Sequence, residues 1–298
     1  MKKLNEHHFK LARQFMKQRA RKLERAIFEY EFESAPYAKA LEELVKYQNE
    51  DGGFGHGLEP DLRCPESSAI ATTRALEILQ LGHGQTGQNQ VIEKALKYLE
   101  ETFNEERFGW DIIPKEAERS PRAIWWDYGV FADNWGNPNA DIVGYFIDYR
   151  STYPLDKLED LITYAIGYLI QSCDLKEMHE LFCYLRLFER LGEEQQQKIK
   201  GTLDEFVDNC VVKNPGDRQG YGATPLKVVD SPDSLYYPKY SDVMPRELDG
   251  LIEQQTEEGS WEPDWIWHQF EDEWQNAKEE WKGVLTLDAL RTLRNFEK

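Results

Sequence analysis

Apolar residues recur with a helical period along most of the chain. Stretches that start near Tyr37, Ile92, Leu158, Met178 and Leu203 each place apolar side chains three and four residues apart. This spacing puts the apolar side chains on one face of an α-helix. Alternation typical of strands is nearly absent, and LKVVD near 226–230 is the one short strand candidate. The pattern predicts an all-α chain of about ten or eleven helices.

Two stretches far apart in the chain share one pattern. The segment ALEELVKYQNEDGGF, which starts at residue 40, aligns with ELDGLIEQQTEEGSW, which starts at residue 247. In each copy a TxxAL helix, predicted near 66–81 and near 283–296, follows the turn, and a weaker third copy ends in NEERFGW. The matched positions are Gln48 with Gln255, Gly52 with Gly259, Phe54 with Trp261 and Thr72 with Thr286. Helical hairpins of this kind bury their apolar faces by stacking on neighbours, and copies near both ends favour a closed ring over an open solenoid.

This repeat resembles that of the terpenoid cyclase and protein prenyltransferase superfamily. The family's motif has a glutamine at the end of one helix, an acid and a glycine in the turn, and an aromatic residue just after it. Gln48, Asp51, Gly52 and Phe54 match this motif, and so does the second copy at 255–261. The resemblance covers about 40–81 and 246–293. It implies an α/α toroid, in which inner and outer helix layers surround a central cavity where the function is located.

The catalytic signatures of the superfamily are absent from this sequence. The chain has no Asp-Asp dipeptide, so it lacks both the Asp-x-Asp-Asp run of protonating cyclases and the Asp-rich magnesium motif. The string Asp61-Leu62-Arg63-Cys64 differs by one residue from the zinc-binding Asp-x-Cys pair, and neither matched helix has a histidine. We therefore expect no metal and no cofactor. P-loop, dinucleotide-binding, G-x-S-x-G and H-E-x-x-H motifs are also absent.

Charge narrows the range of partners. The formal net charge is −19, which argues against nucleic-acid binding because phosphate attraction needs a positive surface. Residues 1–30 nevertheless hold nine Lys/Arg and three Glu, a balance of +6. We therefore divide the chain into a basic helical arm at 1–34 and a toroid domain at 35–298. The arm either lies on its own acidic domain or contacts a membrane or an acidic partner.

The cysteine pattern and the hydropathy favour a cytoplasmic protein. The four cysteines form no CxxC pair, which gives no sign of a redox dithiol or a zinc knuckle. The N-terminus lacks the apolar region of a secretory signal, and no run of about 18 apolar residues predicts a transmembrane helix. Reduced thiols and a cytoplasmic location follow as expectations. The oligomeric state stays open.

All nine tryptophans lie in two stretches, 110–135 and 261–281. Clustered aromatic residues are typical of pockets that stack sugars or stabilise cations, but they also fill the ends of a helical ring. The segment SPRAIWWDYGVFADNW has neither a helical nor a strand period, as is common for functional loops. The predicted substrate-binding residues are Arg122, Trp125, Trp126, Asp127, Trp135, Trp261, Trp265 and Trp267.

The polar stretch before the first TxxAL helix holds the predicted catalytic residues, His56, Glu59 and Asp61. Glycines on both sides of His56 allow a close backbone approach. Glu59 and Asp61 could form a coupled carboxylate pair in which one group is a neutral acid and the other stays ionised. The alternative is helix capping with acidic turn residues. We expect this stretch to line the mouth of the cavity, with Asp61 as a general acid and Arg63 or His56 as its charge partner.

Three functions remain open at this point. The first is binding or conversion of an apolar or isoprenoid-like small molecule in a Trp-lined cavity. The second is a carbohydrate-active α/α barrel, a hydrolase or lyase, because glycoside cleavage uses two carboxylates in an aromatic cleft. The third is a non-catalytic binding or scaffold protein, since a fold does not by itself fix a function.

Overall fold

The computed structural model describes residues 4–82, 84–85 and 87–297, and within these ranges every regular element is helical. The prediction of an all-α chain is confirmed. Extended backbone pairing in the described ranges is limited to isolated bridges. The α-helices are α1 (Glu6–Gln18), α2 (Lys22–Glu33), α3 (Ala38–Leu44), α4 (Ala69–Gln80), α5 (Asn89–Glu101), α6 (Gly136–Asp148), α7 (Leu158–Gln171), α8 (Met178–Arg190), α9 (Glu193–Cys210), α10 (Pro225–Val228), α11 (Tyr237–Tyr240), α12 (Met244–Glu253) and α13 (Glu271–Phe296).

The short strand candidate near 226–230 forms no strand. Its first residues belong to α10, a single helical turn that begins at Pro225. Proline favours the first helical position because its fixed φ suits a helix and its missing N–H would have no partner there. The apolar Val229 is fully buried after this turn, so the run of apolar residues reflects burial and not a sheet.

The chain divides into two compact units, Leu44–Cys210 and Met1–Glu43 together with Val211–Lys298. We call them the central unit and the terminal unit. Residues 1–34, set apart above as a basic arm, lie in the terminal unit with α13. None of the helices in the described ranges combines the length and the apolar character needed to cross a membrane.

Helix α6 makes the most helix contacts in the central unit. It packs against α4, α7 and α8. Helix α5 packs on α4, and α9 packs on both α7 and α8. The largest fully buried side chains of this unit are Trp110, Tyr145, Tyr184, Phe54, Phe146 and Phe206. Burial of such side chains supplies most of the driving force for stacking the hairpins.

In the terminal unit α1 and α2 pack against α13. Phe15, Met16 and Phe28 are at most 2% exposed, which shows that the apolar faces of α1 and α2 belong to the core of this unit. The basic residues of these helices pair with acids of the same unit. Arg19 contacts Glu258 and Glu279. The arm therefore lies on acidic side chains of its own chain.

The repeated turns have the same hydrogen bonds in both units. The side-chain amide of Gln48 donates to the Gly52 carbonyl at 2.9 Å, and Gln255 donates to the Gly259 carbonyl at 3.0 Å. Both glycines have a positive φ, 92° and 93°, which suits glycine because it lacks a Cβ. The sequence match thus corresponds to one local structure formed twice.

The aromatic residue of each turn is tied to the helix that follows. The Phe54 N–H donates to the Thr72 hydroxyl at 3.0 Å, and the Trp261 N–H donates to the Thr286 hydroxyl at 3.1 Å. Both threonines are fully buried. The matched threonine is therefore an acceptor for a buried backbone N–H, which explains why the turn and the TxxAL helix recur together.

Each turn also contacts the first turns of another helix. Gln48 donates to the Val91 carbonyl of α5 at 3.1 Å, and Gln255 donates to the His8 carbonyl of α1 at 3.0 Å. A Cβ on Gly52 would lie 2.3 Å from a carbonyl of α5, and one on Gly259 would lie 2.4 Å from the backbone of α1. In the terminal unit α1 therefore occupies the place that α5 occupies in the central unit.

The weaker third copy follows the same plan with different side chains. The Trp110 N–H donates to the Asn139 amide oxygen of α6 at 2.8 Å, as Phe54 does to Thr72. The indole N–H of Trp110 donates to the Leu99 carbonyl in the preceding helix, and that of Trp261 donates to the Leu251 carbonyl. An amide thus replaces the hydroxyl as the acceptor.

Helix α4 begins at Ala69, a few residues later than the sequence suggests. Ser68 caps it by accepting the Ala71 N–H at 3.1 Å. The residues just before it are held in a turn, because Asn49 donates to the Pro65 carbonyl and the Ser67 hydroxyl donates to Asp51. These bonds hold residues 65–67 outside the helix.

Candidate functional site

The stretch from His56 to Cys64 forms a closed loop. The His56 N–H donates to the Cys64 carbonyl at 2.9 Å, and the Leu62 N–H donates to the Glu59 carbonyl at 3.0 Å. His56 and Gly57 both have a positive φ, 56° and 73°. The expected close backbone approach occurs within the chain itself: a Cβ on Gly55, just before this loop, would lie 2.3 Å from the Glu66 carbonyl.

This loop pairs with the aromatic segment that precedes α6. The Ala123 N–H donates to the Asp61 carbonyl at 2.9 Å, and the Arg63 N–H donates to the Pro121 carbonyl at 3.0 Å. Leu62 and Arg122 thereby form an antiparallel bridge. Two segments that the sequence suggested separately are thus side by side. We call 56–64 together with 120–131 the segment pair.

Trp126, a predicted binding residue, has a buried indole N–H without an acceptor among the described residues. It lies in a 3-10 turn, Ile124–Trp126, and is 7% exposed. Its ring packs on Phe131 with 5.8 Å between centroids. A buried donor without a partner costs about 1–3 kcal/mol, so a ligand that supplied an acceptor here would recover this energy.

An ion pair lies directly next to Trp126. The Arg122 guanidinium contacts the Asp127 carboxylate at 2.7 Å, and the Arg122 side chain is 12% exposed while that of Asp127 is 41% exposed. Arg122 also donates to the Glu118 and Ser120 carbonyls at 3.1 Å. These bonds fix Arg122 against its own loop and leave the carboxylate side of the pair accessible.

The outer side of the segment pair is apolar. Ile124, Tyr128 and Val130 are 47%, 40% and 54% exposed, and Trp125 is half-buried beside them. Single exposed apolar residues are normal on proteins, but a group on one loop is typical of a binding surface. The segment pair thus combines an apolar surface, an ion pair and a buried donor.

The three predicted catalytic residues have different environments. His56 is exposed, and its Nε2 lies 2.7 Å from the Asn49 side-chain oxygen. Glu59 is half-buried, and Asp61 is only 3% exposed. His56 therefore contributes to the turn at 48–54, while Asp61 lies at the backbone ladder of the segment pair. Their catalytic roles stay predictions.

Cys64, the last residue of the loop, is a protonated thiol. Burial, and then the neighbouring Glu66, raise the pKa of Cys64 to about 12. The thiol donates to the Glu66 carboxylate at 3.0 Å. Metal binding and nucleophilic attack both need the thiolate. Within the described ranges no group of three or more His, Cys, Asp or Glu side chains is arranged to hold a metal ion.

Trp135, predicted as a binding residue, is 4% exposed and satisfied by its own unit. Its indole N–H donates to the Phe108 carbonyl at 3.1 Å, and its ring packs on Tyr164 and Tyr168 of α7 at 5.0 and 5.5 Å. These are contacts of a core residue. The structure places Trp135 at the end of the aromatic segment and gives it no open donor.

The other predicted tryptophans belong to the terminal unit. Trp261 is held by the repeat turn, and Trp267 is fully buried with its ring 5.8 Å from that of Trp274. Trp265 is half-buried, and its ring makes edge contacts with Tyr221 and Trp281 at 5.4 and 5.1 Å. The two tryptophan clusters therefore lie in different units, and the expectation of one common pocket stays a prediction.

Sequence reasoning missed Glu180, which fixes the end of the aromatic segment. Glu180 is fully buried and accepts the Gly136 N–H at 2.6 Å and the Tyr168 hydroxyl at 3.1 Å. Burial raises its pKa, although these hydrogen bonds act in the opposite direction. A lone acid beside the apolar face of α8 was the available signal.

Comparison with known proteins found no protein family, curated protein or solved structure that matches this chain.

Proposed function

We propose that the segment pair binds a small apolar molecule that has a hydrogen-bond-accepting oxygen, such as an oxygenated isoprenoid. The observation that supports this proposal most is the indole N–H of Trp126, which is buried without an acceptor among the described residues, in a segment that exposes Ile124 and Val130. An oxygen of the ligand would accept this N–H, while its hydrocarbon part would cover Ile124 and Val130. The superfamily resemblance of the repeat favours the same ligand class.

A carbohydrate is the second candidate, and the Arg122–Asp127 pair favours it. Sugars are bound by aromatic rings together with charged groups that hydrogen-bond their hydroxyls. Asp127 is 41% exposed at the side chain and follows Trp126 directly. A sugar would need several such groups, whereas one donor is enough for an alcohol or ketone, so the apolar ligand is preferred.

Intrinsic tryptophan fluorescence tests the proposal with three probes: farnesol, a saturated C15 hydrocarbon and cellobiose. We expect saturable quenching with farnesol and at least tenfold weaker binding of the hydrocarbon, since one recovered hydrogen bond of about 1.4 kcal/mol corresponds to tenfold. Binding of cellobiose but not of farnesol would favour the carbohydrate candidate. If none of the three probes binds, a non-catalytic scaffold role would be the remaining candidate function.

Two variants separate the donor from the ring. Trp126→Phe removes the N–H, and benzothienylalanine at the same position replaces it by sulfur with little change of shape. Both should weaken farnesol binding about tenfold without affecting the hydrocarbon. Trp274→Phe, at an equally buried tryptophan of the terminal unit (7% exposed, as is Trp126), is the matched control and should bind farnesol normally. Equal losses at both positions would contradict the role of the N–H.

Catalysis is a further part of this proposal. Asp61 is the proposed general acid, because it is 3% exposed and joined by its backbone to Ala123 in the segment pair. Arg63 or His56 would be its charge partner. Incubation with the bound probe and mass spectrometry of the products tests for conversion. Turnover of Asp61→Asn at the wild-type rate would reject the catalytic role of Asp61.

We also propose that the helical hairpins close into an α/α toroid in the cytoplasm. Support comes from the packing of successive helices in the central unit and from α1, which contacts the turn at 255–259 as α5 contacts the turn at 48–52. The cytoplasmic location rests on the cysteine and hydropathy patterns alone. An experimental structure with α4 and α13 facing solvent would reject the ring.

A further inference from the structure

A second polar cluster lies between α6 and α8, at positions that belong to neither segment of the segment pair. Asp141 of α6 is 3% exposed, although it is charged. Arg186 of α8 contacts it through two parallel hydrogen bonds, from Nε at 2.7 Å and from Nη2 at 2.5 Å. Such a bidentate pair fixes both the position and the plane of the guanidinium.

The guanidinium is only partly used by these contacts. The second N–H of Nη2 contacts only the Cys183 sulfur, at 3.5 Å, and sulfur is a weak acceptor, so two of the five N–H donors have a strong acceptor. Nη1 donates to no described residue. The Arg186 side chain is 43% exposed, whereas that of Asp141 is 4% exposed. The Nη1–Nη2 edge therefore has no strong acceptor among the described residues, and Asp141 holds this partly exposed guanidinium in one orientation.

Arg190, one turn further along α8, shows what a purely structural arginine looks like here. Its Nε contacts Asp148 at 2.7 Å, Nη1 donates to a backbone carbonyl at 2.8 Å, and Nη2 donates to Gln80 at 3.1 Å. Its side chain is 13% exposed. All three nitrogens of Arg190 are occupied, whereas one edge of Arg186 is left open.

We propose that Arg186 binds the carboxylate group of a small molecule through this open edge, at a site separate from the segment pair. The geometry suits two oxygens in one plane, which a carboxylate offers. The Arg186 charge is already balanced by Asp141, and Glu77 of α4 lies close enough to act on it electrostatically. A single negative charge is therefore preferred over the double charge of a phosphate group.

Calorimetric titration at constant ionic strength tests this with benzoate and with inorganic phosphate. We expect saturable binding of benzoate to the wild type and weaker or no binding of phosphate. Arg186→Lys keeps the positive charge but loses the planar edge, and benzoate affinity should fall at least tenfold. Arg190→Lys on the same helix is the matched control and should bind benzoate as the wild type does.

Arginine side-chain NMR gives a second measurement that does not depend on a variant. Benzoate should shift the Arg186 guanidinium resonances and leave those of Arg190 in place. Three results would overturn the proposal: no benzoate binding by the wild type, phosphate binding as tight as benzoate, or the same loss of affinity in both lysine variants. The first of these would mean that the Asp141–Arg186 pair only joins α6 to α8.

Discussion

The threonine that follows each repeat turn should contribute more to the free energy of unfolding than its small side chain suggests. Thr286 and Thr72 are fully buried, and each hydroxyl accepts the N–H of a buried aromatic residue, at 3.1 and 3.0 Å. Valine has nearly the same shape but offers no acceptor. Thr286→Val and Thr72→Val each leave one buried N–H unsatisfied, which should lower the free energy of unfolding by about 1–3 kcal/mol.

Thr73→Val is the matched control for this prediction. Thr73 is also buried, but its hydroxyl only donates to the Ala69 carbonyl of its own helix, at 2.8 Å. Its loss leaves no N–H without a partner, and we expect a change below about 1 kcal/mol. Urea unfolding followed by circular dichroism measures all three variants. Losses at Thr72 and Thr286 no larger than that at Thr73 would refute the role assigned to the turn.

Three further predictions concern other described contacts. The ion pair with Lys282, assisted by Arg19, holds the pKa of Glu258 at about 2, against an ordinary value of 4.5. Stability from Glu258 should therefore be full above pH 4.5 and lost as the pH falls towards 2, and thermal melts should show this loss reduced in Glu258→Gln. Gly259→Ala should lower the free energy of unfolding by at least about 1 kcal/mol, because φ is 93° and the new Cβ would lie 2.4 Å from the Leu11 backbone. Urea unfolding measures this change, and an unchanged free energy of unfolding would contradict the geometry. Cys64 should react slowly with iodoacetamide at pH 8 in the native state, because its pKa is about 12. Mass spectrometry measures the labelling, and rapid labelling of Cys64 would disprove this prediction.

Much of the helical fold could be predicted because its signals are local. The Gln-x3-Gly-x-aromatic turn depends on residues four apart, and so the equivalence of Gln48 and Gln255 was visible in the sequence. Helix α13 was expected near 283–296 but begins at Glu271. The acidic residues Glu271 to Glu273 stabilise the start of this helix, because negative charge is favourable at the positive end of the helix dipole. The spacing of apolar residues does not contain this signal.

The contacts of the candidate site were much harder to predict. The ladder between 61–63 and 121–123 consists of backbone hydrogen bonds, which leave no trace in the choice of side chains. Whether a tryptophan N–H finds an acceptor also depends on packing, so Trp126 and Trp135 looked alike in the sequence. Asp141 and Arg186 were detectable only as charges within otherwise apolar helices.

The contact between α1 and the turn at 255–259 has a consequence for folding during synthesis. The Gln255 amide bonds the His8 carbonyl across 247 positions of sequence. Helix α1 leaves the ribosome before its partners in α13 and in this turn, which emerge only after more than 240 further residues. At typical synthesis rates of about 5–20 residues per second, α1 stays without its contacts to α13 and to this turn for about 10 to 50 seconds, although α2 follows it directly. A chaperone that binds apolar helices would therefore be most needed at the first helix, and stalled chains that end before residue 250 should keep α1 accessible to protease.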